Sequence, residues 1–87
     1  PTAIKEFSKD VGFKVYPNPT SGKLKLIGQN LQEKESCMIK ITDMLGREVK
    51  QLKFEDEIDV TELEKGIYFL SVYKNNQLIE TKKIIKE

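Results

Sequence analysis

The sequence predicts an all-β fold, an antiparallel sandwich of about seven strands, and three observations carry that prediction. Short apolar-alternating runs recur along the chain, and turn-forming residues separate them at intervals of about 8–12 residues. No segment shows the i, i+3, i+4 apolar stripe of an amphipathic helix. With 87 residues there is room for one domain and one core. Burying roughly 60% of the unfolded surface leaves stability resting on a few well-filled apolar positions.

Residues 1–12 are polar and mixed and read as a linker, with the domain proper at 13–87. Phe13 to Tyr16 is a short strand stopped by Pro17-Asn18-Pro19. Two prolines so close remove two backbone donors and fix φ, so this segment belongs to an edge or a turn and not to a central ladder. Thr20-Ser21-Gly22 completes the reversal. Lys23 to Ile27 then alternates, with Leu24 and Leu26 inward and the lysines in solvent. Gly28 to Ser36 is a polar connection anchored by Leu31.

Cys37 to Asp43 is the next strand, and Met44-Leu45-Gly46 turns it, with Gly46 expected at positive φ. Arg47 to Phe54 returns as its hairpin partner. Its apolar phase slips between Val49 and Leu52, which predicts a bulge or break there. Glu55 to Val60 carries Ile58 and Val60 on one face, and Ile67 to Tyr73 is the most apolar run and hence the central strand. Lys74 to Gln77 is a tight turn, because asparagine tolerates left-handed backbone. Leu78 to Lys86 closes the domain as a strand paired with the central one. Glu64-x-Gly66-x-Tyr68 matches the tyrosine corner of immunoglobulin-like sandwiches, with Leu70 where antibody domains place a cysteine.

Composition excludes several function classes. Lysine and arginine number 15 against 14 acidic residues, a net charge of +1. That gives no long-range field favouring nucleic acid. The absence of histidine removes the commonest general base and the commonest zinc ligand. No nucleophile has a recognisable base, and the core is too small for a ligand pocket of the usual ~300 Å³, so no catalytic, cofactor-binding or metal-binding residues are assigned. Glu55-Asp56-Glu57 lacks the glycine and spacing of a calcium loop and reads as a solvated turn. Cys37, in phase with Ile39 and Ile41, is read as a small buried residue rather than a reactive thiol. Apolar runs are far shorter than the ~20 residues that span a bilayer, so direct membrane insertion is not expected. The N-terminus shows no signal-peptide pattern.

Four stretches together resemble a known family. They are Val15-Tyr16-Pro17-Asn18-Pro19 followed by Ser21-Gly22; Asp43 to Val49; Ile58-Asp59-Val60 through Leu63 to Gly66-Ile67-Tyr68; and Thr81-Lys82-Lys83-Ile84-Ile85-Lys86. In that order and at a C-terminus they are similar to the type A C-terminal sorting domain of the Bacteroidetes type IX secretion system, over residues 15–87. The resemblance implies a non-catalytic signal that carries a covalently attached upstream passenger through the periplasm to the outer-membrane surface or beyond. It implies as partners the outer-membrane secretion machinery and a sortase-like peptidase that cleaves the domain off and anchors the passenger. Candidate recognition residues are Pro17, Asn18, Pro19, Gly46, Arg47, Lys82, Lys83, Ile84, Ile85 and Lys86, while Gly22, Gly66 and Tyr68 are read as structural. Each retains a plainer reading: a rigid edge turn for the prolines, a backbone necessity for the glycines, a solvated charge for Arg47.

Ile84 and Ile85 are adjacent and face opposite sides of a strand, so one enters the core and the other needs a cover. The terminal strand edge is therefore expected to be what a partner grips, by strand addition. The competing expectation is an immunoglobulin- or fibronectin-like adhesion or spacer module with the same fold. Exposed edge strands in an isolated domain also allow dimerisation.

Overall fold

A computed structural model describes residues 12–87, so most of the expected linker lies outside the described residues. Seven strands form two antiparallel sheets: β1 (Gly12–Tyr16), β2 (Lys23–Gln29), β3 (Cys37–Thr42), β4 (Glu48–Lys53), β5 (Glu57–Asp59), β6 (Gly66–Lys74) and β7 (Gln77–Lys86). One sheet has the order β1-β2-β5 and the other β4-β3-β6-β7. The sandwich expected from the alternating runs is what the chain adopts. Relative to an immunoglobulin constant domain, the fourth strand, β4, lies beside β3 on the opposite sheet.

Period-two alternation decides what is buried. Phe13, Leu24, Leu26 and Ile58 line the inner face of the smaller sheet, and Ile39, Ile41, Leu70, Val72 and Ile84 that of the larger one. β6 is central, paired with β3 on one side and β7 on the other. Leu31 is buried as the anchor of its connection. That connection contains a single 3-10 turn, Lys34–Ser36. Cys37 is buried in line with Ile39 and Ile41, and burial pushes its thiol pKa up, which favours the small-apolar reading over a reactive one.

The turns follow their residue chemistry. Asn75 and Asn76 both adopt positive φ, 52° and 66°, as a two-residue hairpin with the twist of its strands requires. The bulge in β4 falls at Val49: Ile41 pairs with Lys50 and Thr42 with Glu48, leaving Val49 as the extra, exposed residue. The apolar slip marked the region, and the register puts the irregularity at its first residue. A second bulge, at Ile79, was not foreseen; Val72 pairs with Glu80 and Tyr73 with Leu78. The tyrosine corner is formed, with the Tyr68 hydroxyl donating to the Glu64 carbonyl at 2.8 Å.

Leu70 is fully buried on the central strand, so Leu70→Ala should destabilise the domain by about 2–5 kcal/mol. Tyr68→Phe, which deletes one hydroxyl, should cost about 1 kcal/mol. Urea unfolding checks both, with a lowered midpoint at unchanged slope.

Candidate recognition face at one end of the sandwich

Between β1 and β2 the chain leaves the smaller sheet and lies along the outer edge of β7. Prolines at 17 and 19, each after a cis peptide bond, offer no N–H; for want of those donors, edge pairing falls to the residues between and after them. The Asn18 side-chain amide does this. Its Nδ2 donates to the Lys83 carbonyl at 2.8 Å, and the Ile85 N–H donates to its Oδ1 at 2.9 Å. A primary amide presents one donor and one acceptor side by side, as a peptide unit does, so Asn18 stands in for a residue of a neighbouring strand.

Thr20 continues the pairing through its backbone. Its N–H donates to the Ile85 carbonyl at 2.9 Å, and the Glu87 N–H donates to the Thr20 carbonyl at 2.8 Å. Thr20 is itself 1% exposed, and its hydroxyl donates to the Lys23 carbonyl at 2.7 Å, securing the return into β2. Gly22 closes this loop against the next, its carbonyl accepting the Val60 N–H at 2.7 Å.

The terminal residues divide sharply. Ile84 is fully buried, and Lys86 is 8% exposed with its Nζ donating to the Glu87 carbonyl, so neither presents a side chain to a partner of the folded domain. Lys83 is exposed, Lys82 half-buried, and Ile85 half-buried on the outer face opposite Ile67. The expectation of a free terminal edge meets a physical obstacle, since Asn18 and Thr20 already occupy the edge groups from the Lys83 carbonyl to the Glu87 N–H.

The same end of the larger sheet carries the β3–β4 turn. Asp43 organises it: one carboxylate oxygen accepts the N–H groups of Leu45 and Arg47, both at 2.9 Å, and the other accepts the Arg47 Nε at 2.8 Å. Gly46 sits at φ 84°, the left-handed backbone that glycine adopts without strain. Arg47 is largely exposed beyond its bond to Asp43. Met44 and Leu45, which the sequence reading did not select, stand 65% and 79% exposed at the tip. Two large apolar residues where turns usually carry polar ones was the available signal. The turn borders Lys65 to Tyr68, and Gly66 pairs with Lys86, so the four motif stretches meet at one end of the molecule.

A family model described as the secretion system C-terminal sorting domain matches residues 14–87. No curated protein matches the chain in sequence. Among solved structures, PorZ, described as an essential bacterial surface component of the type IX secretion system of Porphyromonas gingivalis, aligns with a TM-score of 0.65 at 23% identity. The alignment covers 87% of this chain and 11% of that one, a likeness of fold to one part of a much longer protein.

Two outcomes follow from this geometry. Asn18→Ala strips two hydrogen bonds from the β7 edge and should destabilise by about 1–2 kcal/mol in urea unfolding. The Arg47 backbone N–H, then its guanidinium and the Leu45 N–H, hold the Asp43 carboxyl below its ordinary 3.8. Folding lowers this pKa, so the turn's stabilisation is present above that pH and lost as pH falls through the folded value. In an NMR titration the Leu45 and Arg47 amide protons should shift together with a midpoint below 3.8; a higher midpoint would contradict the assignment.

Proposed function

The chain belongs to the secretion system C-terminal sorting domain family of the type IX pathway, and from that premise we propose that it is a non-catalytic address, read on its folded surface, that directs an attached passenger to the outer-membrane surface or the extracellular space. The family is in general non-catalytic. The observation that supports a surface readout is the convergence of Pro17–Thr20, the Asp43–Arg47 turn, the start of β6 and the end of β7 at one end of the sandwich. Residues far apart in sequence make one rigid face there, tied by hydrogen bonds, with Pro17, Asn18, Pro19, Gly46, Arg47 and Lys83 exposed on it.

In this reading the secretion machinery contacts that face, while Ile84 and Lys86 act from inside by holding β7 in place. A sortase-like peptidase then separates passenger from signal on the N-terminal side of β1 and anchors the passenger. Any enzymatic activity belongs to the passenger. A spacer or adhesion module would have the same sandwich and leave a Sec-exported reporter in the periplasm.

The test is a fluorescent reporter with a Sec signal peptide, fused ahead of this chain in a host with a working type IX system. The reporter should reach the surface or medium. Deleting residues 82–87 should strand it in the periplasm, but that deletion also removes Ile84 from the core. Arg47→Ala, confined to an exposed side chain, should therefore lower export at unchanged thermal stability. Surface delivery of the deletion, or no delivery of the intact fusion, would refute the address.

A further inference from the structure

The edge strands of the two sheets, β1 and β7, run beside each other without joining. Among the described residues no backbone hydrogen bond links them. The Glu80 carboxylate bridges the gap at one point, accepting the Phe13 N–H at 3.1 Å. A side chain at Gly12 would collide with that carboxylate, so glycine there admits it. Toward the Asn18 clasp the gap opens into a groove of about 350 Å³ lined by Lys14, Val15, Tyr16, Asn18, Lys82 and Lys83.

Strand geometry fixes what the walls offer. Ile85 turns its N–H and carbonyl outward to Asn18 and Thr20, and backbone direction alternates along a strand, so Lys83 and Thr81 also face outward. The Lys83 carbonyl is taken by Asn18. Among the described residues, the Thr81 N–H, the Thr81 carbonyl and the Lys83 N–H have no partner. Charge adds to this: three lysines line the groove against the single Glu80 carboxylate, which already meets Lys82 at 3.2 Å. Lys14 and Lys83, both exposed, have no carboxylate within salt-bridge distance among the described residues.

We propose that this groove binds an extended acidic peptide segment of a partner protein, its backbone pairing with Thr81–Lys83 and its carboxylates meeting Lys14 and Lys83. A phosphate or lipid headgroup would use the lysines but has no row of N–H and carbonyl groups at strand spacing to pair with the Thr81–Lys83 edge. The mixed donor and acceptor edge therefore favours a polypeptide. Strand addition thus falls on the segment of β7 before the Asn18 clasp, rather than on the clasped terminus.

The test is fluorescence anisotropy of a labelled alternating Glu-Val peptide of about eight residues, titrated with the 87-residue chain at low salt. Saturable binding is expected, weakened about tenfold by the double variant Lys14→Glu/Lys83→Glu and by raised salt. Lys53→Glu, on the exposed face of β4 away from the groove, should change it by less than about twofold. Thr81→Pro removes an outward N–H and leaves the backbone ladder to β6 in place, losing there only the hydroxyl contact between Thr81 and Ser71 at 2.8 Å, so it should weaken binding while the thermal unfolding of the variant stays cooperative. Absence of saturable binding overturns the proposal, as does equal loss in Lys53→Glu. Retention of phosphatidylglycerol vesicles with no affinity for the peptide also overturns it, in favour of a headgroup site. Because binding is read in solution, either result leaves the export test independent.

Discussion

The two hydrogen bonds between the Asn18 amide and the edge of β7, continued by two from the Thr20 backbone, hold together parts of the chain far apart in sequence. Asn18 lies between two prolines that cannot donate, and Lys83 and Ile85 lie in the last strand, more than sixty positions away. An edge strand left bare would present its N–H and carbonyl groups to any other chain. Here a side-chain amide and one threonine backbone fill those positions. That fixes the path from β1 to β2, orders the final residues to Glu87, and holds Ile84 in the core with Ile85 on the opposite face.

A domain this small depends on such local devices because its interior is thin. Its one cysteine is unpaired, so no disulfide supports it. Tyr68 pins the crossing from β5 to β6, the Thr20 hydroxyl pins the entry to β2, and Asp43 pins the β3–β4 turn. Each satisfies backbone groups at a place where the chain changes direction and ladder bonds run out. The resulting surface is held in place at the turns. A preorganised face spends less conformational entropy on being bound than a loose one does.

Legibility in the sequence followed the range of the interaction. Period-two runs gave the strands, because alternation is a property of neighbouring residues and one face is buried. Gly46 and the Asn75-Asn76 pair gave their turns, because positive φ is a local demand. The tyrosine corner was readable for the same reason: donor and acceptor lie four positions apart. The Asn18 clasp was not readable, since an asparagine flanked by prolines looks the same whether or not a strand edge lies beside it. Burial of Lys86 was equally hidden: period two puts it on the inner face with Ile84, but a lysine next to the chain's last residue suggests solvent, and the pairing with Thr20 across the edge is a long-range contact. Bulges at Val49 and Ile79 depend on cross-strand register, so the sequence indicated the first only through its broken phase and the second not at all.

Net charge was the least informative quantity about partners, for a physical reason. A total of +1 from 15 basic and 14 acidic residues describes the far field, which salt screens within about 10 Å. Recognition takes place closer than that. Folding sorts these charges so that Glu62 meets Lys50 and Glu33 meets Lys74, while Lys14, Lys82 and Lys83 gather along one gap between sheets. A nearly neutral chain therefore carries a locally basic groove, and the topology that brings β1 alongside β7 creates it. The exclusion of nucleic acid on charge grounds is a statement about long-range attraction. At contact distance, the open strand edge decides which kind of anion the lysines serve.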